Sequence, residues 1–484
     1  MMLRHTLRLA GLALGAGVLS LALGSPTVVS AQQPTATTSL VFDNVTVVDV
    51  QQGRLLPAQR VVIVGNRIRT MGSVGTVSLP AGAKVVDAKG KYLIPGLWDM
   101  HTHSRRYTDF FYPLFIANGV TGMRDGWSEV PLDTLLLWRR EIVAGTRVGP
   151  PRQFLAGPAL DEASPCTRDN SGHVCVADAA DARHVVDSLK AAGASYIKTY
   201  ELGRAMYFVV AAEARRVGIP FGGHLTAASA MEASDSGASI LDHIQTAGGM
   251  DTLCLGGPPS SIERCQAVAN QFRNHNTWWV PTLSRRWLGA NREFPPQPDP
   301  ATKAILMRWH QFTSAFWNGT PLSLHRDWLR DSVSGTQSPS TVQTNTSADT
   351  DGLLRIAHRA GLPILAGTDG GAPVMTVEPP GFALHLELTM YVSEGLTPLE
   401  ALQAATINPA KLLHGTDSLG TVAPGKLADL VLLDADPLQN ITNTTLIRAV
   451  VANGRYFDRA ALDQLLADVQ AKAKQEPQPL GTAR

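Results

Sequence analysis

Short apolar runs broken by Gly and Asn mark both ends of the chain as β structure. Residues 60–64 precede a Gly-Asn turn, and residues 428–433 and 447–452 repeat the same texture near the other end. Runs of β-branched residues bounded by turn residues predict strands. We therefore expect residues 32–92 and 418–470 to build one small composite β-sandwich domain.

Between these ends, predicted strands alternate with predicted helices. The helices include residues 178–192 and 204–217, and a capping box at Thr397 opens another that runs to about His414. The eight predicted strands are 97–103, 120–124, 153–157, 196–200, 220–224, 240–244, 277–283 and 363–369. This alternation predicts an α/β fold, a (β/α)8 TIM barrel over residues 93–417. The alternative is a doubly wound open sheet, which normally carries a Gly-rich phosphate loop that this sequence lacks.

Residues 288–350 enlarge the seventh strand–helix unit with a Pro- and Trp-rich insertion. Its aromatic residues recur near helical spacing from Trp309 to Trp328. A helical flap that packs on itself explains this spacing most simply. Because barrel enzymes carry their sites under the loops that follow the strands, the insertion could also roof a substrate pocket. Both interpretations stay open.

Composition and the first residues indicate the setting of the protein. The chain has 484 residues and a formal net charge of +1, which gives no electrostatic reason to expect a nucleic-acid partner. Residues 1–31 have the pattern of a secretory signal, with basic Arg4 and Arg8 before an apolar stretch. That stretch is short for a membrane anchor, and no later stretch is long and apolar enough to cross a bilayer. The sequence therefore predicts an exported protein, periplasmic or secreted, with no membrane span in the mature chain.

Export permits disulfides between the four cysteines. Their spacing favours two local pairs, Cys166–Cys175 and Cys254–Cys265. A zinc site made of all four cysteines is the competing interpretation, but the sequence has no C-x2-C pair.

Side chains that can bind metal stand at the ends of several predicted strands. His101 and His103 end the first barrel strand, and residues two apart share one face of a strand, so both imidazoles can reach one ion. The complete set of strand-end candidates is His101, His103, Lys198, His224, His243 and Asp369. Each has a structural explanation alone, but six such coincidences in one strand order favour a site for zinc-like ions. The other histidines, including His173, lack this context, and we interpret them as structural or surface residues.

With this ligand set, the chain resembles the metal-dependent amidohydrolase superfamily. The similarity rests on residues 95–103, on the strand that ends in Gly367-Thr368-Asp369, and on the closing runs 405–410 and 420–431. It covers most of the mature chain. The resemblance implies a barrel with a composite β domain from both termini, and hydrolysis at a carbon centre, usually of a C–N bond.

The lysine narrows the resemblance to binuclear members. In those members the lysine is carbamylated by CO2 and bridges two divalent ions, which we expect to be zinc. Carbamylation requires a neutral amine, and burial near cations favours that form by lowering the pKa of a lysine. By resemblance, the ligands of the first ion would be His101, His103, Lys198 and Asp369. Those of the second ion would be Lys198, His224 and His243.

The expected reaction is hydrolysis of an amide or peptide-type bond by a metal-bridging hydroxide. Asp369 would take the proton of that hydroxide and pass it to the leaving nitrogen. The chain looks most like exported members related to Xaa-Pro dipeptidases and imidazolonepropionase-like hydrolases, which cleave dipeptides or N-acyl amino acids. Tyr200 and Arg105 are candidates to bind the carboxylate of such a small-molecule substrate.

Two alternatives remain open. A mononuclear deaminase or cyclic-amide hydrolase on the same scaffold would bind about one ion and leave Lys198 unmodified. A non-catalytic exported binding protein would have to retain a complete ligand set without using it. The sequence leaves open the exact substrate and the choice between a monomer and a homo-oligomer.

Overall fold

The computed structural model describes residues 39–104, 108–162, 172–243, 254, 262–284, 352–370 and 380–475. The predicted signal at residues 1–31, the insertion at residues 288–350, Arg105 and Cys166 lie outside the described residues. Those four interpretations stay predictions.

Strands and helices alternate through most of the described chain. The strands are β1 (Leu40–Asp49), β2 (Arg54–Val64), β3 (Arg67–Ser73), β4 (Lys84–Asp87), β5 (Tyr92–Pro95), β6 (Leu97–Ser104), β7 (Val120–Ser128), β8 (Arg152–Leu155), β9 (Ala159–Asp161), β10 (His173–Cys175), β11 (Ile197–Thr199), β12 (Phe221–Gly223), β13 (Ile240–Asp242), β14 (Trp278–Val280), β15 (Leu430–Leu433), β16 (Ile447–Ala452) and β17 (Arg455–Asp458). The helices are α1 (Thr108–Ala117), α2 (Leu132–Ala144), α3 (Ala179–Ala192), α4 (Arg204–Val217), α5 (Ala230–Asp235), α6 (Ile262–His275), α7 (Leu353–Arg359), α8 (Phe382–Ser393), α9 (Pro398–Ala404), α10 (Ile407–Leu412) and α11 (Arg459–Gln475). A 3-10 helix spans Ile441–Thr445.

One eight-stranded sheet combines strands from both ends of the described chain. Its order is β17-β16-β15-β5-β1-β2-β3, and β4 pairs with β1. The junction is the antiparallel pair β15–β5, in which Leu430 lies opposite Pro95. Apolar residues such as Phe42, Ile63 and Leu432 form a core on one face, while Val431 and Leu433 on β15 pack into the larger core. Because β5 leads directly into β6, this sheet adjoins the first strand of the central fold.

Parallel strands form the central fold, as a TIM-barrel-like architecture requires. β6, β7 and β8 pair in order, and a six-stranded sheet runs β10-β9-β11-β12-β13-β14. Residues 363–370 lie between β14 and β6, because the Trp279 N–H donates to Pro363 O at 3.0 Å and the Met100 N–H donates to Ala366 O at 2.8 Å. The carboxyl ends of parallel strands meet at one edge, so His101, His224 and Asp369 are brought to the same end.

Several helix predictions are confirmed and others are corrected. The helix over residues 204–217 has those bounds, and α3 starts one residue later than predicted because Asp178 is its N-cap. The single predicted helix from Thr397 to about His414 is wrong, because α9 and α10 are separate helices. The Ala405 carbonyl between them accepts the Trp98 N–H at 2.8 Å, which ties the break to β6.

The strand predictions also need correction. β9 and β10 were not predicted, because no described helix separates them from β8, so the strand–helix alternation that indicated the equally short β11 to β14 is missing there. The predicted strand at residues 277–283 is shorter, Trp278–Val280, and Thr282 beyond it has a left-handed backbone. Among the helices that the structure describes, none is both long and apolar enough to cross a membrane.

Candidate metal centre

Four of the predicted ligands converge on one point at the ends of β6, β13 and residues 363–370. His103 Nε2 lies 2.5 Å and His101 Nε2 lies 3.3 Å from Asp369 Oδ1. His243 Nε2 lies 4.0 Å from Asp369 Oδ2. Candidate ligand atoms of His101, His243 and Asp369 all lie within 4.8 Å of one another.

His224 and Lys198 complete the neighbourhood. The His224 ring lies 4.9 Å from the His243 ring, centroid to centroid, and the His243 ring lies 4.7 Å from that of His101. Lys198 on β11 is fully buried, and its Nζ contacts a carboxylate oxygen of Asp242. The structure thus brings the six strand-end candidates to one region, with Asp242 as a neighbour that the strand-end pattern did not include.

Polar contacts on the far side of three rings bear on which nitrogen of each imidazole carries the hydrogen. His103 Nδ1 lies 3.3 Å from the Trp127 carbonyl, which can only accept, so Nδ1 carries the hydrogen and Nε2 has the free lone pair that a metal ligand needs. His101 Nδ1 has an acceptor at 3.1 Å, Asp242 Oδ1, and a donor at 2.9 Å, Arg124 Nη2. His243 Nδ1 lies 2.8 Å from the Thr282 hydroxyl, which can accept or donate. Asp242 and Thr282 can therefore hold these two rings in the same tautomer as His103.

The electrostatics keep the imidazoles neutral. Burial lowers the pKa of His101 to about 4, although the Asp242 carboxylate opposes this. Burial also lowers the pKa of His224 well below its ordinary value, and the positive charge of Lys198 adds to the effect. Neutral imidazoles offer a free lone pair, so these rings can bind a cation without first losing a proton.

A buried charge network lies beside the centre. Asp242 Oδ1 accepts from Arg124 Nη2 at 2.5 Å, and its other oxygen contacts Lys198 Nζ. Burial alone would raise the pKa of Asp242, but the charges of Arg124 and Lys198 and the contact with His101 outweigh it and hold that pKa well below its ordinary value. Arg124 and Asp242 were not predicted as site residues. The sequence pattern that could have indicated them is a charged residue within β7 and another at the end of β13.

Asp99 links β6 to residues 363–370. Its carboxylate accepts from the Thr368 hydroxyl at 2.7 Å, from the Thr368 N–H at 3.0 Å and from the His101 N–H at 3.2 Å. Burial raises the pKa of Asp99 to about 6, against the lowering effect of these hydrogen bonds. The contacts fix the backbone positions of His101 and Asp369 relative to each other.

The backbone is strained at the centre itself. His243, Thr282 and Asp369 have φ values of 64°, 49° and 61°, a region that residues other than Gly rarely adopt. Each such residue costs about 1–3 kcal/mol, so the surrounding contacts must stabilise it. The His243 N–H donates to Val280 O at 2.8 Å and the Asp369 N–H donates to His101 O at 2.7 Å. Strain of this kind is typical of functional sites.

Aromatic rings surround the centre in a closed series. Consecutive ring centroids are 4.4–5.1 Å apart. The rings belong, in order, to His101, His103, Trp127, His173, Tyr200, His224 and His243. Tyr200, predicted to bind substrate, is therefore a neighbour of His224. The interpretation of His173 as structural or surface overlooked its place in this series, because β10 was not predicted.

The residues present fit a divalent cation. His101 Nε2 is buried and has no hydrogen-bond partner in the described part of the chain. A Cβ at Gly126 would lie 2.9 Å from His101 Nε2 and 2.9 Å from His103 Cε1, so only Gly leaves this space open. Imidazole nitrogens with a carboxylate are a donor set suited to zinc.

Three of the four cysteines are in disulfides. The structure contains a Cys254–Cys265 disulfide across a sequence separation of 11 residues. Cys175 is also disulfide-bonded, and its predicted partner Cys166 lies outside the described residues.

Comparisons with known proteins agree with this geometry. A family model described as "Amidohydrolase family" matches residues 319–456. Adenine deaminase 3 of Rhizobium meliloti is 41% identical over 64 residues, which are 13% of this chain and 11% of that relative. Imidazolonepropionase of Pyrobaculum arsenaticum is 40% identical over 98 residues, which are 19% of this chain and 22% of that relative. The matches to these two curated relatives thus span less than a quarter of either protein.

Solved structures match over far more of the chain. A putative prolidase from Bifidobacterium longum is 22% identical with a TM-score of 0.63, covering 90% of this chain and 100% of that one. Molinate hydrolase is 19% identical with a TM-score of 0.64, covering 93% of this chain and 100% of that one. At this level of identity the similarity establishes the fold.

Proposed function

We propose that this chain, which belongs to the amidohydrolase superfamily, is a metal-dependent hydrolase that cleaves a C–N bond of the amide or peptide type. The observation that carries the proposal is the convergence of three Nε2 atoms on the Asp369 carboxylate. Two lone pairs as close as those of His103 Nε2 and Asp369 Oδ1, at 2.5 Å, need a proton or a metal ion between them.

Two divalent ions, zinc by the donor set, are the proposed cofactors. The ligands of the first would be His101, His103, Lys198 and Asp369. Those of the second would be Lys198, His224 and His243. When bound, such ions lower the pKa of water so that hydroxide exists at neutral pH, and they polarise a carbonyl.

Asp369 is the proposed proton carrier. Its Oδ1 faces His101 and His103 while its Oδ2 faces His243, so one carboxylate spans the centre. It would accept the proton of the attacking water and deliver it to the leaving nitrogen, which leaves as an amine rather than as an unstable amide anion.

Lys198 is proposed to act as a carbamate. Starting from the ammonium, the nitrogen loses a proton, forms an N–C bond with CO2 and releases a second proton, which changes the charge of the side chain from +1 to −1. Its full burial beside His101 and His224 supports a position in the ligand set. The contact with Asp242 would have to be released, because two adjacent carboxylates repel each other.

A dipeptide or an N-acyl amino acid is the proposed substrate. Solved structures of similar fold include a Xaa-Pro dipeptidase with bound methionine, 20% identical with a TM-score of 0.60 over 87% of this chain. The Tyr200 ring lies 4.4 Å from the His224 ring and 4.5 Å from the His173 ring, centroid to centroid. We propose that the Tyr200 hydroxyl binds the substrate carboxylate there. Arg105 is a second proposed partner.

The same proposal includes a closed eight-stranded barrel, with the eight-stranded sheet as a composite domain, and export of the protein. The backbone bonds from residues 363–370 to both β14 and β6 support closure. The Cys254–Cys265 disulfide supports export, because disulfides persist in oxidising compartments.

A deaminase or cyclic-amide hydrolase with one ion is the second candidate. Two observations favour it. Several curated relatives that match segments of this chain are adenine deaminases. In addition, Lys198 Nζ contacts the Asp242 carboxylate as an ammonium would. About one ion per chain, together with release of ammonia from a purine, would favour this candidate over an amide hydrolase.

Asp369→Asn tests the proposed mechanism. The amide keeps the shape of the side chain but cannot accept the proton, so we expect kcat to fall by about 100-fold or more. Metal content measured on the same samples separates loss of ions from loss of proton transfer. A variant that keeps its ions and hydrolyses at the wild-type rate would remove Asp369 from this role.

A further inference from the structure

We infer that Asp242 and Arg124 are positioning residues that fix the tautomer of His101 and thereby prepare the centre to bind metal. The inference rests on the proposed function, because it assumes that a divalent ion binds at His101. Asp242 and Arg124 would contact the proposed metal ligands without binding the metal themselves.

Asp242 lies where it can set the tautomer of His101. Oδ1 lies 3.1 Å from His101 Nδ1 and 2.5 Å from Arg124 Nη2, while Oδ2 contacts Lys198 Nζ. A carboxylate can only accept, so a hydrogen bond from His101 to Oδ1 places the hydrogen on Nδ1 and leaves the Nε2 lone pair toward Asp369. A carboxylate behind a metal-binding imidazole is a recurrent way to fix the orientation of such a ligand.

Arg124 makes this arrangement dependent on Asp242. Its Nη2 lies 2.9 Å from His101 Nδ1, and a guanidinium can only donate. While Asp242 accepts from both groups, two donors lie side by side and share one oxygen. Without the carboxylate, Nη2 would donate directly to Nδ1. The hydrogen of His101 would then move to Nε2, where it blocks the lone pair that the metal needs.

The surroundings of Arg124 favour this role over simple stabilisation. Its Nε and Nη1 are buried and have no hydrogen-bond partner among the described residues, so most of the guanidinium is left unsatisfied. The Tyr196 ring lies 5.3 Å from the guanidinium carbon and itself stacks on Phe154 at 4.9 Å. A buried ion pair of this kind is weak evidence for stability, and here the hydrogen bonds of Arg124 go to the proposed ligand His101 and to Asp242 beside it.

The first test compares Asp242→Asn with a matched control. The amide has one acceptor oxygen and places donor hydrogens against Arg124, His101 or Lys198. We expect the Kd for Zn²⁺, measured by chelator competition on the full chain, to rise about 10- to 100-fold. Asp429→Asn is the control, since Asp429 forms a partly buried pair with Arg152 at 2.7 Å outside the centre. Its Zn²⁺ affinity should stay at the wild-type value.

The second test asks whether Arg124 causes the loss. In Arg124→Met with Asp242→Asn, the guanidinium no longer donates to His101 Nδ1, and the amide can turn its oxygen toward that nitrogen. We expect the double variant to bind Zn²⁺ more tightly than Asp242→Asn alone. The tautomer can be observed directly in metal-free protein labelled with 15N-histidine, with His101→Gln to identify the signal. Wild type should show hydrogen on Nδ1, and Asp242→Asn should show it on Nε2.

Three results would overturn the inference. They are an unchanged Zn²⁺ affinity in folded Asp242→Asn, an equal loss in Asp429→Asn, or a wild-type His101 with hydrogen on Nε2. Failure of the positioning role can be distinguished from failure of the proposed function. If Asp242→Asn loses affinity as expected but the metal-loaded wild type hydrolyses no C–N bond, only the proposed function fails. If hydrolysis is observed and Asp242→Asn binds metal normally, only the positioning role fails.

Discussion

Glu387 on α8 should make stability fall as the pH rises from acid to neutral. Its carboxylate is fully buried and accepts the Leu283 N–H at 2.9 Å and the Ser284 N–H at 2.6 Å. These two residues follow Thr282, the partner of His243. Glu387 therefore holds the loop that contacts His243, one of the proposed metal ligands.

The magnitude follows from the pKa of this group. Burial raises the pKa of Glu387 from 4.5 to about 7, against the lowering effect of the two backbone hydrogen bonds. A difference of that size corresponds to about 3 kcal/mol between the protonation states. Because the folded state holds the proton more tightly than the unfolded state, stability is fully present below pH 4.5. It is lost progressively up to about pH 7 and is constant above that.

Glu387→Gln removes this titration. Relative to wild type, the variant should gain about 3 kcal/mol of unfolding free energy between pH 4.5 and pH 8. The amide has one acceptor oxygen for the two backbone N–H groups, so one of them is poorly satisfied. This cost is the same at every pH and does not affect the gain. Urea unfolding of the metal-free chain at several pH values measures it. Other buried acids with raised pKa values, such as Asp99 and Asp125, are present in both proteins and cancel in the difference.

The control is Glu400→Gln in the capping box of α9. The pKa of Glu400 is lowered, because the hydrogen bonds from Thr397 outweigh its partial burial. The stability that it contributes is present above pH 4.5 and lost below, so its variant should track wild type between pH 5 and pH 8. Parallel curves for Glu387→Gln and wild type over the same range would refute the reasoning about Glu387.

Three further substitutions test the centre. Thr282→Val removes the hydroxyl that holds His243 Nδ1 at 2.8 Å and should raise the Zn²⁺ Kd by about 10-fold in chelator competition; an unchanged Kd would contradict this. Gly126→Ala would place a methyl 2.9 Å from His101 Nε2 and should abolish metal binding while circular dichroism stays unchanged; normal metal content would show that the space is not used. Tyr200→Phe should raise KM for a carboxylate-bearing substrate with little effect on kcat, and an unchanged KM would refute the binding role.

The sequence predicted those parts of the fold that produce long, regular patterns. The helix Arg204–Val217 and the strand end at His101 and His103 were predictable, because periodicity and Gly boundaries are local properties. The short strand His173–Cys175 was not, since no described helix separates it from the strands before it and the strand–helix alternation is missing there. The break at Ala405 depends on a hydrogen bond from Trp98, about 300 positions earlier, which no local pattern encodes.

The candidate site was also predictable only in part. Histidines at strand ends are visible in a sequence, so the ligand candidates could be named and their convergence described afterwards. The second layer was not visible. Arg124 and Asp242 are separated by 118 positions, and only the parallel arrangement of β7 and β13 brings them to His101. The left-handed backbone at His243 and Asp369 likewise depends on tertiary contacts.

The most direct measurement is the amine released by the purified chain from a panel of dipeptides and N-acyl amino acids, before and after removal of divalent ions. We expect protein that carries about two ions per chain to release amine, to lose this activity with a chelator and to regain it when Zn²⁺ is added. Metal-loaded protein that releases no amine from any member of the panel would contradict it.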